Sequence, residues 1–136
     1  MRRAALEDLP FIHAALIHHR PALETRGFVV EADLDTAYNS LCYEISKGNG
    51  YIVQDFLVMA NVITPWYSLD TVLQEWFTMS LKANPQGADR IVPFLEELAK
   101  QKKSSMIMTG DASKLLSPLW LSCGMLPCGK SFYKRV

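Results

Sequence analysis

The stretch "TVLQEWFTMSLKANPQGADRIVPFLEEL", Thr71 to Leu98, joins two patterns of different period. Its opening is rich in β-branched and aromatic residues, as strands are. Asn84, Pro85, Gln86 and Gly87 read as a loop. Ile91, Phe94, Leu95 and Leu98 then recur at helical spacing, and the basic run "KQKK" (100–103) follows. Next comes "SSMIMTG" (104–110), short and apolar enough for a buried strand. A strand, loop, helix and strand in that order call for a crossover that sets the two strands side by side and parallel, diverging at one end. The rest of the fold is read outward from this unit.

Upstream, "YIVQ" (51–54) and "FLVMANVI" (56–63) are strand-like, and Asp55 between them marks a tight turn. "DLDTAYNSLCYEISKGNG" (33–50) places Leu34, Ala37, Leu41 and Ile45 on one helical face and stops at Gly48 and Gly50. "LEDLPFIHAALIHHR" (6–20) predicts a first helix with Asp8 as cap and Phe11, Ile12, Ala15 and Leu16 sharing a face. His18 and His19 then fall at its end, where positive charge suits the dipole. Residues 21–32 are less regular, and Arg2 to Ala5 suit a short first strand. Downstream, "DASKLLSPLWLSCG" (111–124) is a helix candidate that Pro118 would kink and Gly124 would stop, and "KSFYKRV" (130–136) is a final strand. The fold class expected is α/β (α+β): a mixed, mostly antiparallel sheet of six to seven strands, with about four helices packed on its faces.

Bulk properties narrow the function. The 136 residues suit a single domain, residues 1–136, and 49% of them are hydrophobic, which argues against disorder. Lys plus Arg (14) equals Asp plus Glu (14), so no global field recruits nucleic acid or an anionic membrane. No apolar run reaches the roughly 20 residues that span a bilayer, and the N-terminus has acids where a signal peptide is apolar. A cytoplasmic protein is expected. Cys42, Cys123 and Cys128 lack metal or disulfide spacing and read as core residues, and His13, His18 and His19 do not suggest a metal site. Trp66, Trp76 and Trp120 read as core residues before cleft residues.

The element order, the opening "RRAALEDLPFI" and the ending "GMLPCGKSFYKRV" resemble the GNAT superfamily of acyl-CoA-dependent N-acyltransferases. In the ending, Met125 stands where the family has Phe in a Gly-Phe pair. Small phage-encoded GNAT-like proteins are similar in length. The resemblance implies acetyl-CoA as acyl donor, with its pyrophosphate on backbone N–H groups at a helix start. Its Gln/Arg-x-x-Gly-x-Gly/Ala loop falls on Gln86, Gly87, Ala88, Asp89, Arg90 and Ile91, so Asp89 and Ile91 occupy positions the family gives to small residues. A carboxylate there repels a pyrophosphate unless it turns away to cap the helix or pair with a cation, and Arg90 offsets part of the charge. The resemblance further implies Glu75 as the base that deprotonates the amine; the plainer alternative is a solvent-facing residue on an alternating strand. Trp120 stands where the family has its acid tyrosine and has no hydroxyl. Tyr133 is the candidate substitute donor, its plainer and favoured reading being a strand aromatic packed against a neighbour. Ser113 stands where the family tends to place a cofactor-side Asn. Two functions follow: transfer of an acetyl group to a small-molecule or protein amine, or an inactive GNAT-fold module that binds a protein, such as a viral or host-interaction component.

Overall fold

A computed structural model describes residues 1–24, 33–110, 116–128 and 134, with the backbone alone for 22–24. Its sheet contains strands β1 (Arg2–Arg3), β2 (Gly50–Val53), β3 (Phe56–Ile63), β4 (Val72–Ser80) and β5 (Met106–Met108), in that spatial order. The first four pair antiparallel and β5 runs parallel to β4, so the sheet is mixed and mostly antiparallel, as expected. Five strands are present among the described residues, fewer than the six or seven expected. The proposed last strand lies outside the described residues except for Lys134, which belongs to no strand.

The crossover that decides the fold is as read. Helix α3 (Ile91–Gln101) follows β4, and β5 returns beside it in the register Val72↔Met106 to Gln74↔Met108. Beyond Gln74, β4 continues to Ser80 while β5 has ended, so the two strands pair over three residues only.

Both faces of the sheet are covered, which is why β3 reads as an unbroken apolar run. Leu57 and Met59 point to one core, where α1 (Leu9–Glu24) and α2 (Leu34–Ser46) bring Ile12, Ala15, Leu16, Leu41 and Ile45. Val58 and Ala60 point to the other, against Ile91, Phe94, Leu95 and Leu98 of α3 and Trp120 of α4 (Ser117–Ser122). The expected pairing of the first two helices over the sheet is therefore present, with Leu41 and Ile45 buried and Leu34 half-buried.

Several local expectations are corrected. Phe11 is 65% exposed, because the buried stripe of α1 runs through Ile12, Ala15 and Leu16. Asp8 precedes α1 in a 3-10 turn and closes that turn by accepting the Ala5 N–H at 2.8 Å. The Arg2 guanidinium donates to both its oxygens, at 2.7 and 2.6 Å, and holds the carboxyl below its ordinary range. Helix α1 continues through Pro21 to Glu24, so His18 and His19 lie within it, and His19 Nε2 lies 3.1 Å from the Ser80 carbonyl oxygen and 3.0 Å from its Oγ. Strand β5 carries exposed Met106 and Met108. Pro118 lies in the first turn of α4, where it starts the helix instead of kinking it. Cys42 is half-buried, while Cys123 and Cys128, both beyond the end of the short α4, are exposed.

Gly50 opens β2 and does not stop α2. A Cβ there would sit 2.6 Å from Ile45 Cγ1 and 3.2 Å from Met59 Sδ. Neither neighbour can retreat, since Ile45 and Met59 are buried in the α1–α2 core. Gly50→Ala is expected to cost about 1–3 kcal/mol, a typical overpacking loss. A denaturant midpoint lowered at constant slope would check this, and an unchanged midpoint would refute it.

Candidate functional site

Strand β4 is irregular where it matters. Glu75 pairs with Ala60 and Phe77 with Met59, so Trp76 is an extra residue opposite no partner on β3. This is a β-bulge, a feature enriched beside active sites. Trp76 and Phe77 both pack toward the α1–α2 core, their rings 6.3 Å apart. Glu75, like its partner Ala60, is on the α3 side. It is 2% exposed, which removes the solvent-facing alternative, and its Oε1 accepts a hydrogen bond from the Thr78 hydroxyl at 3.0 Å. A cavity of ≈ 300 Å³ lined by Ala60, Leu73, Tyr51, Lys47 and Lys102 opens along that same face.

At the other end of β4, the loop before α3 is anchored on the β2–β3 turn. Asp55 Oδ2 accepts the Gln86 N–H at 2.8 Å, and Asp55 N–H donates to the Gln86 carbonyl at 3.4 Å. Lys82 Nζ lies 3.1 Å from Asp55 Oδ1, and Leu81 N–H donates to the Asp55 carbonyl at 2.8 Å. The Gln86 N–H and then Lys82 lower the Asp55 carboxyl below its ordinary range. Gly87 has φ +97°, a left-handed conformation open to glycine, and a Cβ there would fall 2.6 Å from Gln54 Cβ. The loop then turns through a 3-10 segment, Ala88–Arg90, into α3, and Arg90 N–H donates to the Gly87 carbonyl at 3.0 Å.

Gln86 N–H is thus committed to Asp55, whereas the N–H groups of Gly87, Ala88 and Asp89 have no hydrogen-bond partner among the described residues. They lie at the start of the 3-10 segment that leads into the 11-residue α3, at the end of the helix whose dipole favours an anion. Among the described residues, neither Gly87 nor Arg90, the residues at the cap positions of the 3-10 segment and of α3, makes a side-chain cap bond. Asp89 does not serve as the expected cap, nor does it form an ion pair among the described residues; its side chain and that of Arg90 are exposed.

The other expected site residues divide. Ser113 and Tyr133 lie outside the described residues. Trp120 is buried in the α3-side core, and its Nε1 has no hydrogen-bond partner among the described residues. Trp76 is half-buried, while Trp66 is 96% exposed in the β3–β4 loop, contrary to its reading as core. Lys100, Lys102 and Lys103 are exposed around the end of α3, as a solvated helix terminus. Sequence reasoning missed Thr78, Gln54 and the anchoring role of Asp55. The adjacent Trp76 and Phe77, two large apolar residues in an otherwise alternating run, were the available sign of the bulge.

Solved structures share this architecture over nearly the whole chain. A possible acetyltransferase from Clostridium difficile 630 is similar with a TM-score of 0.69 and 14% identity, covering 99% of this chain and 95% of that one. A predicted acetyltransferase from Clostridium acetobutylicum, solved with acetyl-CoA, gives 0.68 and 15%, covering 97% and 92%. A probable acetyltransferase gives 0.70 and 11%, covering 98% and 95%. No family model and no curated protein matches the chain. The fold is GNAT-like. Among the described residues, no helix is long and apolar enough to cross a membrane.

Proposed function

We propose that this chain is a single-domain N-acetyltransferase that uses acetyl-CoA and acts on a small-molecule or protein amine. The observation that carries the reading is the set of three N–H groups, Gly87 to Asp89, that have no partner among the described residues and lie just before α3. Such a set suits a pyrophosphate, because each donor lacks an internal partner and the dipole favours an anion. Glycine at position 87 lets the backbone take the turn that exposes them. The GNAT-like fold, and a neighbour solved with acetyl-CoA, support the same donor.

In this reading, bound acetyl-CoA supplies an acetyl thioester. Glu75 takes the proton that the acceptor amine loses as its nitrogen bonds to the acetyl carbon. The thiolate of CoA leaves. A carboxylate on a covered strand suits this role, since a site shielded from bulk water strengthens the interaction of base and ammonium. Tyr133 is the hydroxyl assigned to protonate the thiolate and Ser113 the residue assigned to the donor side, both by resemblance, because Trp120 cannot donate from a hydroxyl.

Calorimetry with acetyl-CoA and with free CoA tests the donor site. Both are expected to bind, more weakly as salt screens the phosphate contacts. Asp89→Gly removes an exposed negative charge beside the three donors, so its affinity should hold or rise at low salt. Gly87→Val should abolish binding, since a side chain would meet Gln54 and strain the left-handed turn. Absence of heat with either ligand would overturn the reading, and so would tight binding destroyed by Asp89→Gly.

A further inference from the structure

The bulge in β4 permits a contact that a regular strand forbids. Residues three apart on a strand face opposite sides of the sheet. Yet the Thr78 hydroxyl reaches Glu75 Oε1 at 3.0 Å, because the extra residue between them returns Thr78 to the side of Glu75. The two cores do not need that residue. Leu73 packs on the α3 side, and Phe77 and Met79 on the α1–α2 side. A strand lacking position 76 would send each of them to the same core, with Ala60↔Glu75 and Met59↔Phe77 as consecutive pairs. What the bulge adds is the Trp76 side chain and a carboxylate held by a hydroxyl three positions on.

Resting on the reading of Glu75 as base, we propose that Thr78 is a positioning residue whose hydroxyl fixes the Glu75 carboxylate for proton transfer. Glutamate has three side-chain torsions, and burial alone does not choose among them. A hydroxyl donor holds one oxygen and so sets the plane of the carboxylate and the direction of the second oxygen. A hydroxyl bond to a carboxyl group strengthens when that group is ionised, which suits the Thr78 bond to this orienting task. Thr78 does not touch the reacting atoms; it acts through Glu75.

Thr78→Val and Thr78→Ser separate the hydroxyl from the shape. Valine keeps the branched outline without the donor, and serine keeps the donor without the methyl group. The first readout is the side-chain carboxyl ¹³C resonance of Glu75, assigned by its disappearance in Glu75→Gln. The second is thiol release from acetyl-CoA with a lysine-containing peptide or a polyamine as acceptor. In Thr78→Val the resonance should move, and kcat should fall about tenfold, in the range of losing one hydrogen bond to an ionised group, with KM unchanged. Thr78→Ser should restore both. An identical resonance in all three proteins overturns the proposal, as does a normal rate in Thr78→Val with a poor one in Thr78→Ser. If the wild-type protein transfers nothing to either amine while still binding acetyl-CoA, the catalytic part of the proposal fails. The resonance then decides alone whether Thr78 orients the carboxylate. If acetyl-CoA does not bind either, it is the reading of the donor site that has failed.

Discussion

Leu41→Asp is expected to abolish the cooperative unfolding transition at the wild-type temperature. Leu41 is 3% exposed between α1 and the sheet, among Ile12, Leu16, Ile45, Leu57 and Met59. The described side chains of that cluster are all hydrophobic. An aspartate there either remains ionised without a partner or takes up a proton to enter, and it also forfeits the packing of the leucine. Uncompensated buried charges cost about 3–5 kcal/mol, a large part of the roughly 5–15 kcal/mol that holds a domain together. Circular dichroism on heating would read the loss. Melting within a few degrees of wild type would mean that the apolar stripe of α2 does not carry the core.

Glu75→Gln should leave the fold intact and remove most of the chemistry. The amide keeps the size of the side chain and keeps an oxygen to accept the Thr78 hydroxyl, so the thermal midpoint should move little. It cannot accept a proton at neutral pH. The loss expected on removing a general base is roughly 10²- to 10⁴-fold in kcat, with acetyl-CoA affinity unchanged, since the donor loop is a separate part of the chain. Thiol release with a polyamine acceptor, set beside calorimetry on the same preparation, gives both quantities. A rate within threefold of wild type would remove Glu75 from the mechanism.

How far the sequence carried depended on whether a feature was local. The face of α3 was legible because Ile91, Phe94, Leu95 and Leu98 repeat at 3.6 residues and all four are buried. The parallel placement of β4 and β5 followed from a helix lying between two strands, a constraint of chain connection that spacing alone reveals. Phe11 was misplaced because adjacent apolar residues at the start of a helix do not say which of them the sheet will cover. Burial of Glu75 was not legible, because alternation assigns a charged residue to water and gives no warning of a second layer over that face. The loop showed its glycine and its helix start, yet not its anchor, since Asp55 lies 31 positions from Gln86. Ion pairs and turns brought together over that distance leave no periodic trace.

Two-residue hairpins on a surface are ordinarily where a protein tolerates added length, tags or grafted peptides. The Gln54–Asp55 turn is differently placed. Asp55 gives its carboxylate, its N–H and its carbonyl to the segment between Leu81 and Gln86, and Gln54 lies against Gly87. Lengthening this tip would leave the hairpin itself able to form while unseating the segment that leads into α3. The turn and the loop therefore vary as one unit. A chimaera that exchanges the loop with that of another GNAT-like protein must bring its matching hairpin along, whereas the β3–β4 connection, with Trp66 and Leu69 almost wholly in solvent, can be replaced without disturbing either core.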